Sequence, residues 1–154
     1  MSVYGIDRIY QIHESINNSI LKDFKSKGRK DLGSFSKVKI SEEIINKYKG
    51  NYKFLRHIRT GKNIKGYLFF DSGDKLVAIL SVEEKDNNIW IQALEIQKEY
   101  QGYGLSKQLL KVATNEFKVN RLSVNRNNEI AIKIYKSYGF KEYESTQNMI
   151  FMKI

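Results

Sequence analysis

The 154-residue chain has no cysteine, no proline and only two histidines, His13 and His57. Without cysteine there is no disulfide, no thiolate metal ligand and no cysteine nucleophile, a composition that fits a reducing compartment. Two histidines far apart in sequence argue against a histidine metal centre and against a serine–histidine triad. Neither has a partner identifiable in the sequence, so both read as structural or surface residues, and no metal is expected. Long apolar runs are missing too: no window approaches the roughly 20 residues needed to span a bilayer. The opening "MSVYGIDRIYQIHESINN" lacks a basic stretch followed by an apolar one. The expectation is a soluble cytoplasmic protein with no membrane partner, one domain over residues 1–154, large enough to bury a core without staples.

Positive charge is plentiful, and it is uneven. The formal net charge is +10, with 13 Lys/Arg against 6 Asp/Glu in residues 1–60 and 14 against 11 in residues 61–154. Such an excess suits an acidic or nucleic-acid partner at the N-terminal part. It is also what a sequence rich in Lys, Asn and Ile acquires by compositional drift. No stacked-aromatic RNA motif is present, so nucleic acid is not the favoured partner.

Residues 1–50 look helical but loosely patterned. Ile16, Ile20, Leu21 and Phe24 fall at helical spacing before Gly28, and Ser41 is a plausible N-cap for a helix closed by Gly50. Residues 27–37 between them read as loop. From residue 66 the period changes. "YLFFD", "KLVAILSV" and "IWIQALEI" are three strands of a meander, joined at Ser72-Gly73-Asp74 and at "EEKDNN". Then the order becomes helix, strand, helix, strand, strand. Leu105, Leu109, Val112, Ala113 and Phe117 form one stripe of a helix. "RLSV" is a short strand, Asn128 caps "EIAIKIYKSY", Gly139 closes it, and "FKEYES" and "MIFMKI" form an antiparallel pair. The expected fold is α/β of the α+β kind: a mostly antiparallel sheet with helices on both faces and one parallel β-α-β step.

The chemistry-bearing stretch is "LEIQKEYQGYGLSKQLLK", where an extended run turns through Gln101-Gly102-Tyr103-Gly104-Leu105-Ser106 into a helix. A dinucleotide loop, G-x-G-x-x-G, fails because the sixth position from Gly102 is Lys107; a Walker loop is absent altogether. What remains is Q-x-x-G-x-S between a strand and a helix. Glycines there leave unhindered N–H groups, and the helix start adds partial positive charge, which together suit a phosphate or pyrophosphate. A purely structural turn would use glycines as well. Further on, Asn128, Ala131 and Tyr135 share one helix face; alone, such a tyrosine usually packs into a core.

Together and in this order, the two stretches resemble the GNAT superfamily of acyl-CoA-dependent N-acetyltransferases. The first resembles its R/Q-x-x-G-x-G/A segment, the second its N-x-x-A-x-x-x-Y-x-x-x-G-F segment. The resemblance is clear over residues 66–145; residues 1–65 match only by position the family's variable helical acceptor-side region, leaving 66–154 as the cofactor-binding core. It implies that Gln101, Gly102, Tyr103, Gly104, Leu105, Ser106 and Lys107 cradle the coenzyme A pyrophosphate with backbone amides. Leu94 and Ile96 would pair with the pantetheine arm, on a strand that runs parallel to "RLSV" and splays from it, with the Ile96 amide polarising the thioester carbonyl. Asn128 would reach the pantetheine or thiol end, Tyr135 would be the general acid, and Glu95 is the candidate base, direct or through water. Ser106 stands where the family has Gly or Ala, Gln101 where Arg is commoner, and Lys98 where a proline is frequent. The implied activity is acetyl transfer from acetyl-CoA to a primary amine of a small molecule or protein, by a monomer or homodimer. Competing readings are a non-catalytic acyl-CoA-binding regulatory module, a nucleic-acid-binding protein, and an enzyme acetylating aminoacyl-tRNA.

Overall fold

The computed structural model describes residues 30–154. The helix expected over residues 16–28 lies outside them. Seven strands form one sheet in the order β1-β2-β3-β4-β5-β7-β6. They are β1 (Ser36–Lys39), β2 (Ile64–Phe70), β3 (Leu76–Lys85), β4 (Asn88–Ile96), β5 (Arg121–Asn125), β6 (Lys141–Ser145) and β7 (Met149–Lys153). Every neighbouring pair is antiparallel except β4–β5. Three α-helices complete the described part: α1 (Glu42–Tyr48), α2 (Leu105–Asn115) and α3 (Glu129–Tyr138).

The meander forms because its strands are apolar on both sides. Along β2, Leu68 and Phe70 enter one core while Tyr67 and Phe69 enter the other. The first core is closed by Ile45 of α1 and by Leu55 of the 3-10 turn Lys53–His57. The second is closed by α2, whose Leu105, Leu109, Leu110 and Ala113 are fully buried, and by residues of α3 packed beside Phe140. Each buried leucine is worth about 1.5–3 kcal/mol relative to exposure. Helices therefore cover both faces, as the sequence implied. The β3–β4 turn narrows to Asp86 and Asn87, both at positive φ (54° and 63°). Two such residues give the type I′ geometry whose twist matches a two-residue hairpin.

Residues 27–37 are not all loop. Leu32–Ser34 is a 3-10 turn and Ser36–Lys39 pairs with β2 as the edge strand β1. Its signal is weak because Val38 is its one apolar residue; Lys37 and Lys39 stay at the surface, and Lys37 Nζ sits 4.5 Å from the Tyr67 ring centroid. Such a strand takes its form from its neighbour, and lysines on an edge discourage further pairing. The helical reading of residues 1–65 is thus corrected to a mixed one over the described part.

The parallel pair matters most for function. β4 and β5 share a single register pair, Trp90↔Arg121. Asn120 clamps that end: its N–H donates to the Ile89 carbonyl at 2.9 Å, and its side-chain oxygen accepts from the Ile89 N–H at 3.0 Å. Beyond the clamp the two strands part, and among the described residues no strand pairs with the rest of β4 on that side.

Candidate active site

Which atoms the free edge presents follows from the ladder. Gln97 N–H donates to Val77 O at 2.9 Å, in register with the pairs Glu95↔Ile79 and Leu94↔Leu80. Antiparallel partners alternate between bonded and non-bonded pairs. Glu95 therefore spends its backbone groups on β3, as Gln97 does its N–H, while the Gln97 carbonyl accepts the Tyr100 N–H at 2.9 Å. Leu94 and Ile96 direct their groups away from β3, toward β5. Buried backbone groups need partners. One is supplied internally: the Gln101 side chain donates Nε2 to the Ile96 carbonyl at 3.0 Å.

At the end of β4 the 3-10 turn Lys98–Tyr100 leads into the glycine loop. Gly102 and Gly104 sit at φ 90° and 80°, in the left-handed region that glycine tolerates. A Cβ on Gly102 would meet nothing within 4 Å, so that side of the loop is open. Gly104 is the N-cap of α2, with no side-chain cap and no acidic residue in the first turn. The first amides of α2 thus keep their donors, and the helix dipole reinforces them. Lys107 adds a formal charge.

Leu94, Glu95, Ile96, Gln101, Gly102, Gly104, Leu105, Ser106, Lys107, Asn128 and Tyr135 all line one cleft of about 680 Å³. That gathers every site residue expected from the sequence but one. Tyr103 does not line it; its ring is half-buried against the core around α2. The cleft also takes in Tyr100, Ile130, Ala131 and Ile134. Of these, Ile130 is 76% exposed at the rim. Its spacing of four from Ile134 was the signal that could have found both.

Asn128 is partly spoken for. Its side-chain oxygen accepts the Ala131 N–H at 3.2 Å and caps α3, which leaves the amide NH2 for the cleft. Tyr135 packs its ring edge-on to Phe140 at 6.2 Å between centroids. Burial pushes its hydroxyl pKa above the ordinary 10, and the negative charge of Glu95 pushes the same way. Glu95 itself retains exposed surface, yet the packing around its carboxyl is enough to raise its pKa. Within one cleft there are thus a phenol held protonated, by burial and then by the Glu95 charge, and a carboxyl made more basic by burial. Tyr100 is driven furthest, up to about 12, by burial and by its bond to Asp71.

These residues fit the two halves of an acylated coenzyme: uncapped amides and a lysine for its phosphates, a strand edge with unpaired amides for its pantetheine arm. A mixed α/β sheet splayed at its one parallel pair, with a glycine loop feeding a helix beside the gap, defines an acyltransferase-type fold. Residues 22–152 match the family described as Acetyltransferase (GNAT) domain, and the chain belongs to that family. The curated "Probable spermine N(1)-acetyltransferase" of Bacillus subtilis subsp. natto is 35% identical over 65 residues, covering 38% of this chain and 43% of that protein. The matched part is thus under half of the relative's length. The Escherichia coli ribosomal-protein-S18-alanine N-acetyltransferase shares the fold at TM-score 0.59 and 18% identity, over 77% of this chain and 91% of that one. Arabidopsis thaliana Naa50, solved with the bisubstrate analogue CoA-Ac-MVNAL, gives TM-score 0.59 and 21% identity, over 79% and 98%.

Proposed function

We propose that the protein transfers an acetyl group from acetyl-CoA to a primary amine by direct attack in a ternary complex. The observation that carries this reading is the single cleft in which the free edge of β4, the uncapped start of α2, and the Glu95–Tyr135 pair meet. The coenzyme supplies an acetyl carbon activated as a thioester. In the reaction a nitrogen–carbon bond forms, the carbon–sulfur bond breaks, and one proton passes from the amine side to the sulfur side. Glu95, its basicity raised by its surroundings, takes the amine proton directly or through water. The Ile96 N–H stabilises the negative charge that develops on the thioester oxygen. Tyr135 stays protonated through the neutral range and gives its proton to the departing sulfur. Gly102 to Lys107 hold the pyrophosphate with backbone donors.

The acceptor is a primary amine on a small molecule or a protein; the curated relative's name points to polyamines and the Arabidopsis complex to a peptide N-terminus. A cytoplasmic location rests on the cysteine-free composition.

Calorimetric titration of acetyl-CoA, with desulfo-coenzyme A and ATP alongside, tests the reading. Micromolar affinity for acetyl-CoA and much weaker ATP binding are expected. Gly104→Val should abolish binding, because a β-branched residue is strained at φ 80° and shields the loop amides. Tyr135→Phe should keep coenzyme affinity within about threefold and cut kcat by roughly a hundredfold or more. Undiminished binding by Gly104→Val would overturn the pyrophosphate assignment.

A further inference from the structure

Asp71 lies outside the cleft, in the turn between β2 and β3, yet it is tied directly to a residue of the cleft wall. The Tyr100 hydroxyl donates to Asp71 Oδ2 at 2.6 Å. The other carboxylate oxygen is fully used inside the turn, accepting the Gly73 and Lys75 N–H groups at 2.9 Å each. The Asp71 N–H in turn donates to the Lys75 carbonyl at 2.9 Å. The aspartate is therefore rigid before Tyr100 reaches it. A second tie runs parallel to the first: Lys75 Nζ to Glu99 Oε2 at 2.6 Å. Phe35 presses edge-on against the Tyr100 ring, 5.8 Å between centroids. The 3-10 turn Lys98–Tyr100 is thus pinned on its outer side, immediately before Gln101 and the glycine loop.

That loop has few other constraints. Gly102 and Gly104 give it wide conformational freedom, and among the described residues its one side-chain hydrogen bond is that of Gln101 to Ile96. A phosphate cradle built from backbone amides works only if the amides are held in place before the anion arrives. From this geometry we infer that Asp71 is a positioning residue for the coenzyme: acting through the Tyr100 hydroxyl, it fixes where the glycine loop leaves β4. The β2–β3 turn then belongs to the cofactor site, although no part of it touches the cleft. The two ties differ in weight. The Lys75–Glu99 pair is about half exposed on both sides and screened by solvent, so it contributes little. The Asp71–Tyr100 bond joins an ionised acceptor to a shielded hydroxyl and is the stronger kind.

This inference rests on the acetyl-CoA reading above, and its test separates the two. Acetyl-CoA affinity and steady-state kinetics are measured for the wild type, Tyr100→Phe, Asp71→Asn, the double variant, and Glu99→Gln as a control. Tyr100→Phe keeps the ring against Phe35 and removes only the hydroxyl. It should raise the acetyl-CoA Kd and KM five- to twentyfold, leave kcat at saturating coenzyme within twofold, and move Tm by no more than a few degrees. Asp71→Asn should do the same, and the double variant should be no worse than the weaker single one. Glu99→Gln should stay within twofold of wild type. Wild-type coenzyme affinity in Tyr100→Phe, or single effects that multiply in the double variant, would overturn the positioning role while leaving the cofactor assignment standing. A wild-type protein that fails to bind acetyl-CoA would overturn both.

Discussion

Glu95 has no hydrogen-bond or ion-pair partner among the described residues, and partial burial alone raises its pKa. Its folded pKa therefore lies above its unfolded value. The stability this shift represents is fully present below the unfolded pKa and is lost as pH rises through the folded one. At neutral pH the ionised group costs stability that Glu95→Gln would recover. The Tm of Glu95→Gln should exceed that of the wild type at pH 7–8, and the gap should close below about pH 4. Over the same range the wild-type kcat/KM should rise with pH through the raised Glu95 pKa, and the variant should lose that limb along with most of its rate. Melting curves and initial rates from pH 3.5 to 8 check both; a gap that does not move with pH would mean the carboxyl titrates normally. At this scale the sequence was informative wherever spacing forces a side chain onto a face. Asn128, Ala131 and Tyr135 reach the cleft because residues three and four apart on a helix must share a side. Tyr103 escaped the same logic, since nothing in a loop's local sequence fixes which of its side chains turns inward.

Among the elements, β2 holds the tightest steric constraint described. Gly66 sits at φ 152°, and a Cβ there would lie 2.0 Å from the Leu80 carbonyl oxygen on β3. Backbone cannot give way as a side chain can. Gly66→Ala should therefore cost at least about 3 kcal/mol and lower Tm by roughly 6–12 °C, while an alanine at Gly50, with nothing within 4 Å, should cost far less. Paired thermal melts of the two variants decide it; equal shifts would mean β3 can slide aside. The meander was readable because β2, β3 and β4 carry their own apolar runs and because turn residues punctuate them. β1 was not, since its pairing is lent by β2 and four residues with one valine leave no period to count. Nor was the clamp at Asn120, a long-range bond to Ile89 that depends on two strands meeting at one end only.

For the molecule as a whole, the mixed sheet and its helices on both faces could be anticipated because burial demands them, and the cofactor side because two motifs carry it. The acceptor side could not, as amine recognition imposes no fixed spacing on a chain. The +10 charge has one consequence that is independent of the acceptor. Approach of a polyanionic coenzyme should be accelerated at low salt and slowed as the Debye length shrinks. Stopped-flow association of coenzyme A at 0.05 and 0.5 M salt should show that slowing in kon, with koff nearly constant; an unchanged kon would mean that the loop amides alone govern capture.

The parting of β4 from β5 has a further side. Among the described residues the Leu94 backbone groups and the Ile96 N–H have no strand partner on that side of an extended segment, which is the feature that lets a sheet recruit a strand from another chain. A ligand whose amides fill that row would complete the sheet as well as carry the acyl group. The cell's supply of coenzyme would then act as a guard against self-association, and protein purified without it would be the form most prone to clump.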